Sequence, residues 1–433
     1  MTTTIKNFSK MLFAFVLCAG LVLTSCETAD PTDDNSKNPE NSENTDNSEN
    51  TESTETPSNI IVFADDIVKK SCVEAFDTNG DGEISYEEAA AVKDLSDAAL
   101  GFLYFSSFDE FQYFINVTSI PDSYFCENEK LKSIVLPKSI ETIGEKAFGG
   151  CTTLTYINFP QSLKSIGKSA FFNCKGLTQL EFQEGLKTIE ESAFENCKGL
   201  TQVELPEGLE TIGESAFGGC KGLTQVEFPE GLETIGRYAF GDCTALTDIY
   251  FPQSLNSIGK SAFYGCKGLT QVEFPEGLKT IGESAFSKCT GLTQVEFPEG
   301  LETIGMMAFY YCAGLTRIEF HEGLESISPH VFYGCTGLTQ VEFPHSLKSI
   351  SGGAFSHCTG LTQVEFQEKL EEIEGSAFEG CSGMTIVCKA LNPPLWPDCC
   401  TWGRISCHVP KESVELYKRA EGWREFNIIG YDF

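Results

Sequence analysis

Residues 200–222 read LTQVELPEGLETIGESAFGGCKG, and the same string returns, little altered, along most of the chain. Its first position recurs at Leu131, Leu154, Leu177, Leu200, Leu223, Leu246, Leu269, Leu292, Leu315, Leu338, Leu361 and Met384, always 23 residues on. The alternation in L-T-Q-V-E-F predicts a short strand with Val and Phe inward and Gln and Glu outward. Pro, then Gly or Ser, turns the chain before L-x-x-I-G. The closing x-x-A-F-x-x-C reads as a helical turn with Ala, Phe and Cys packed inside. No unit of this length buries its own apolar side; stacking on its neighbours does.

Such a period with Leu and Val at strand spacing marks a leucine-rich repeat solenoid. The expected fold is an α/β solenoid of 23-residue units over residues 131–406, with a parallel sheet on its concave face. The Phe at 148, 171, 194, 217, 240, 263, 286, 309, 332, 355 and 378 should form a core spine, which accounts for much of the 34 Phe in the chain. Eleven of the 19 cysteines fall at one inward position, from Cys151 to Cys381, where a small buried thiol packs well. That count is odd and pairing would break the equivalence of the turns, so free thiols are expected. Cys388, Cys399, Cys400 and Cys407 are less regular. Their spacing, with His408, matches no standard zinc ribbon; a core role or one Cys388–Cys407 disulfide remains open.

The charge is as uneven as the repeat is even. The 433 residues carry 30 basic and 63 acidic side chains, a net of −33, which argues against nucleic acid as a partner. Residues 1–25 read as a secretory leader: Lys6 and Lys10, then an apolar run from Met11 to Leu23, too short to span a bilayer. Residues 26–58 follow as an acidic tether whose 27–58 stretch has one apolar residue, Ala29, and a net charge of −9. Such a composition cannot bury enough surface to offset its ordering entropy, so disorder is expected.

Residues 59–114 contain one metal-binding pattern. Asp77-Thr-Asn-Gly-Asp-Gly-Glu-Ile-Ser-Tyr-Glu-Glu88 has the spacing of a twelve-residue EF-hand loop. Asp77, Asn79 and Asp81 stand at loop positions 1, 3 and 5, and Gly82 at the sharp turn. The Glu83 carbonyl would ligate at position 7, Ser85 through water at position 9, and Glu88 bidentately at position 12. A hard cation wants six or seven oxygens on a short arc, and calcium is the expected cofactor. The loop occurs once, which suits a structural clip within residues 59–130, themselves at a net charge of −11.

The unit LxxVxFPxxLxxIGxxAFxxC resembles the BspA-type leucine-rich repeats of bacterial surface lipoproteins. Leu23-Thr24-Ser25-Cys26 resembles a bacterial lipobox, which implies lipidation of Cys26, and Glu27 resembles the outer-membrane sorting choice. The single EF-hand-like loop and the segment from Ser107 to Ile120 resemble that group too. Residues 115–130 then read as an N-terminal cap, although Asn128 stands where the repeating Cys would fall. Residues 407–433 resemble the closing cap. The resemblance implies a lipid-anchored outer-membrane protein facing the cell exterior, bound to the membrane through its lipid only; a monomer is expected. Host matrix or other surface proteins would be its partners, with adhesion as its role.

The outward strand positions bear on the ligand. They stack Glu181, Glu204, Glu227, Tyr250, Glu273, Glu296, Glu319, Glu342 and Glu365. Like charges about 5 Å apart cost on the order of 0.8 kcal/mol per pair even in water. The strip is therefore either a solubilising face or a binding face for a basic protein segment or a glycan. Glu204, Glu227, Asp248, Tyr250, Glu273, Glu296, Arg317 and Glu319 are its candidate contacts, the exceptions Asp248, Tyr250 and Arg317 being where specificity would arise. Further exceptions are Met306-Met307, Tyr310-Tyr311, His321 and His345. Catalysis finds no support: there is no Gly-rich phosphate loop, HExxH or GxSxG, and the five His lie at 321, 330, 345, 357 and 408. A glycan-binding surface module for nutrient capture and a structural surface or biofilm component are the alternative readings.

Overall fold

A computed structural model describes residues 59–397 and 405–433. The leader, Cys26, the tether, Cys399 and Cys400 lie outside the described residues.

Each 23-residue unit makes one turn, and from Leu177 to Ile373 every turn carries two short strands. Gln202–Glu204 and Thr211–Ile212 are the pair in the unit quoted first. The first kind of strand builds a front ladder and the second a rear ladder, both parallel. Because every unit has the same length, equivalent residues stack. Gln271, Val272 and Glu273 face Gln294, Val295 and Glu296 on the front; Thr280 and Ile281 face Thr303 and Ile304 on the rear. The front strands bury Val and expose Glu, as the alternation requires. The rear strands, inside L-x-x-I-G, are a feature to which the sequence reading assigns no element.

The x-x-A-F-x-x-C segment is not helical, which corrects the expected α/β class to a parallel β-solenoid. Among the described residues, helices occur only before residue 115 and after residue 410. An α-helix needs every N–H to reach four residues back. Here the donors alternate. Ala216, Gly218 and Cys220 close tight turns onto Gly213, Ser215 and Phe217, while Ser215, Phe217 and Gly219 donate to Arg237, Ala239 and Gly241 of the next turn at 2.7–2.8 Å. Ser215 and Gly219 adopt left-handed φ of 55° and 71°, which breaks any helix. This segment is thus a third hydrogen-bonded side of the solenoid.

The interior is two aromatic ladders. The expected spine runs unbroken from Phe125 to Phe378, with successive rings 5.0–5.7 Å apart and inclined by at most 26°. The Phe closing each front strand stacks in a second ladder, from Phe228 to Phe366 at 5.5–6.2 Å. It meets the spine edge-on, as Phe228 meets Phe240 at 5.3 Å. Leu205 interrupts it.

The eleven repeat cysteines are buried and free. Each thiol donates to the Phe carbonyl of the preceding turn at 3.0–3.3 Å. Cys therefore serves as a small apolar residue that also carries a donor. Burial pushes these thiols far up, Cys151, Cys312 and Cys381 to about 12. Cys388 and Cys407 are free as well. Their strands set Ile386 opposite Cys407 and Val387 opposite His408, so Cys388 falls two places past the position that faces Cys407.

Both ends are closed by aromatic residues. Phe105, Phe108, Phe111 and Phe114 are buried before the first turn, and Phe105 meets Phe125 edge-on at 6.0 Å. Ser107–Phe108 already pairs with Ser133–Ile134. At the far end, Ser406–Pro410 and Asn427–Tyr431 extend the front ladder. Trp423 is fully buried there and donates to the Pro394 carbonyl at 2.7 Å.

Candidate functional site

The EF-hand-like loop joins a helix, Asp66–Phe76, to a six-residue helix, Tyr86–Ala91. Gly80 and Gly82 take φ of 78° and 80°, a conformation other residues adopt at a cost. Ile84 is fully buried, and its carbonyl accepts from the Ile61 N–H at 2.8 Å. The side chains of the expected ligands hold the loop's own donors. Asp77 accepts from Gly80 and Gly82 at 2.7 and 2.9 Å, Asn79 from Asp81 and Asp81 from Glu83, both at 2.8 Å. Glu88 reaches back across the loop and accepts from Thr78, Asn79 and Ser85 at 2.8–3.3 Å. The Ser85 backbone donor, followed by Thr78, holds its carboxyl down near 2. The Glu83 side chain pairs with Lys69 at 2.7 Å. The donor set is all oxygen and the turn is shaped for a hard cation. Yet among the described residues no three His, Cys, Asp or Glu side chains converge as a metal site.

The front ladder brings its acids together. Register places Glu181 beside Glu204, Glu227 beside Tyr250, and Glu273, Glu296, Glu319, Glu342 and Glu365 in succession. Glu204 is pushed up by its partial burial and by Glu181. Asp248 is exposed and accepts from the Thr247 hydroxyl at 2.7 Å. Tyr250 is 55% exposed. Arg317 replaces the usual Gln and pairs with Glu319 on its own strand. His321 stands 3.7 Å from Glu296, and Lys389 pairs with Glu365 at 2.5 Å. Glu204, Glu227, Glu273 and Glu342 have no ion-pair partner among the described residues.

The other sides of the solenoid treat charge differently. On the rear, Lys164, Lys187, Lys279 and Lys348 pair with Glu141, Glu210, Glu302 and Glu325, one turn away, at 2.6–3.9 Å. Next to that ladder Lys168, Arg237 and Lys260 pair with Glu191, Glu214 and Glu283 at 2.9–3.3 Å. Both of those sides thus pair acid with base across turns, although like charges also adjoin there, as Lys164 and Lys187 or Glu302 and Glu325 do.

Between strands Gln271–Glu273 and Arg317–Glu319 the strip encloses an open hollow of about 430 Å³. Of the candidates named from sequence, it gathers Glu273, Glu296, Arg317 and Glu319; Glu204, Glu227, Asp248 and Tyr250 lie further along the ladder. Its lining also includes the rings of Phe274 and Phe297 and the His321 imidazole. The sequence signal for the hollow is the turn that carries Arg317 for Gln and His321 for Pro.

This fold, with no helix among the described residues long and apolar enough to cross a membrane, is that of a repeat protein whose side chains make one long recognition surface. The BspA-type leucine-rich repeat region model matches residues 118–247, 187–314 and 257–385, and the chain belongs to that family. It is a family of leucine-rich repeat surface proteins that in general bind other proteins, and no catalytic family is indicated. A leucine-rich repeat protein from Bacteroides ovatus is 30% identical with a TM-score of 0.63, over 75% of this chain and 87% of that one. A leucine rich cell surface protein from Faecalibacterium prausnitzii is 24% identical over 62% of this chain and 82% of its own, with a TM-score of 0.36. The pneumococcal vaccine antigen PcpA is 23% identical over 74% and 78%, with a TM-score of 0.46. No curated protein matches the chain.

Proposed function

We propose that the chain is a lipid-anchored adhesin that holds a basic segment of an extracellular protein along its front strip. One observation carries this reading: seven rear-side Lys and Arg pair with a Glu one turn away, while Glu204, Glu227, Glu273 and Glu342 on the front have no ion-pair partner among the described residues. Cross-turn pairing is available to the same sequence chemistry, so folding does not require these front acids to stay without a counter-charge. A ligand that supplies Lys or Arg relieves the repulsion as it binds, and complementary charge also steers encounter. The anchor would be Cys26, with the acidic segment before residue 59 as spacer, at the outer membrane and facing outward. Labelling with a radioactive fatty acid should mark the chain and spare Cys26→Ser.

Calcium fits the same picture as a clip for the N-terminal module. Asp77, Asn79, Asp81, Glu88, the Glu83 carbonyl and, through water, Ser85 would hold it, with the carboxylates exchanging N–H partners for the ion. Its charge would offset the excess acid of residues 59–130.

The test of the strip is binding of a lysine-rich peptide to the full chain across a salt series. Affinity should fall as salt rises, and Glu273→Gln with Glu296→Gln and Glu342→Gln should weaken it. Salt-indifferent binding, or binding untouched by these changes, overturns the reading.

A further inference from the structure

The x-x-A-F-x-x-C side carries two left-handed positions per turn, one before Ala and one before Cys. Most turns fill them with Ser, and with Asn or Gly, as at Ser169 and Asn173 or Ser215 and Gly219. Small or locally hydrogen-bonding residues suit that conformation and bulky ones do not. One turn breaks the rule twice, with Met307 and Tyr311 at φ of 59° and 55°, as Lys146, Tyr238 and Lys288 break it singly elsewhere. The next two turns set His330 and His357, a residue type that tolerates it, at 54° and 59°. Backbone ease has been given up there, and such concessions concentrate at functional sites.

What they assemble is a continuous set of five rings. Tyr310 stacks on Tyr333 at 5.0 Å, and Tyr311 stands edge-on to both at 4.5 and 5.5 Å. His330 and His357 flank Tyr333 at 5.9 and 5.1 Å. The left-handed rings lie over glycines of the next turn. A Cβ on Gly334 would sit 2.7 Å from Tyr311, and one on Gly380 2.8 Å from His357. Tyr311 is 43% exposed, and none of the five is buried. The set spans roughly 10 Å, two strand spacings.

We infer that this platform binds a neutral oligosaccharide. The apolar C–H faces of a sugar pack on aromatic rings, while Tyr hydroxyls and imidazole nitrogens exchange hydrogen bonds with its hydroxyls. The five rings include no Asp, Glu, Lys or Arg, and the chain's net −33 repels acidic polysaccharides; a basic segment is drawn instead to the front strip. A proline-rich segment needs slots between rings, and Tyr310 and Tyr333 are already in stacking contact. The inference is independent of the reading of the front strip.

Calorimetric titration of the full chain with maltohexaose, cellohexaose and the hexamer of N-acetylglucosamine tests it. At least one should bind. Restoring the residues of the other turns, by Tyr311→Asn, His330→Ser and His357→Asn together, should weaken that binding at least about tenfold. Because the replacements suit left-handed backbone, Tm should hold or rise. Glu273→Gln with Glu296→Gln should leave sugar binding unchanged. Silence toward all three sugars, binding untouched by the triple change, or preference for a proline-rich peptide overturns the inference. So does a fall of several degrees in Tm, which would make the rings packing elements.

Discussion

Phe240→Ala tests whether the aromatic spine holds the solenoid together. Phe240 is fully buried. It stacks on Phe217 at 5.2 Å and Phe263 at 5.7 Å, and meets Phe228 edge-on at 5.3 Å. A buried Phe→Ala change costs about 3–5 kcal/mol through lost burial and the cavity left behind. Aromatic pairs contribute about 0.5–1.5 kcal/mol each beyond burial, and three partners place this site at the upper end, about 4–5 kcal/mol. Strands on both sides fix the turn spacing, so collapse around the cavity is restricted. A solenoid turn touches only its neighbours, so the lesion should uncouple the two halves of the array. Guanidinium unfolding followed by circular dichroism should show one transition in the parent chain. The variant should show an earlier, broadened or split one with a lower m-value. Phe172→Ala, at a position 37% exposed, should stay within about 0.5 kcal/mol. A loss below about 1 kcal/mol at Phe240, or one sharp transition with unchanged m, refutes the argument.

The thiols give a second check. Under native conditions iodoacetamide should modify the half-buried Cys126 well before the solenoid cysteines, and mass spectrometry of the native and denatured chain should show the difference. Because burial raises these thiols from about 9 to about 12 at Cys151, Cys312 and Cys381, the unfolded chain loses their protons first. Stability should therefore be intact below pH 9 and fall as pH rises toward 12, measured as Tm in an alkaline series. On the front strip, Glu342→Gln removes a charge stacked between Glu319 and Glu365. It should raise Tm slightly at low salt and not at high salt. In the N-terminal module, millimolar calcium should raise the Tm of the full chain relative to chelator, and Glu88→Gln should abolish that gain.

The solenoid and its core were legible because a fixed period turns each residue choice into a stack, and the stacked Leu, Ile, Phe and Cys admit few arrangements. The rear ladder was not, since Thr211–Ile212 is two residues long and shows no alternation; its hydrogen bonds all go to other turns. The third side was misread for a related reason. Ala216, Phe217 and Cys220 have helical spacing and are all inward, but period alone cannot tell a helix from a run of tight turns bonded to the next repeat. The left-handed Ser215 decides it, and Ser is not a residue that announces such a conformation.

The candidate site was legible only in part, because register fixes which residues stack and says nothing of what neutralises them. Glu273, Glu296 and Glu319 could be aligned from the 23-residue period. That Lys187 and Lys279 reach Glu210 and Glu302 across one turn needs side-chain reach and direction. The comparison between sides gives the strip its meaning. Each exposed pair contributes little, on the order of 0–1 kcal/mol, so no single one dictates the fold. A stack left without counter-charge over several turns is still a recurring cost that Lys on adjacent turns would lessen, as the four rear pairs do. Its retention on the front strip is what the proposed basic ligand would account for.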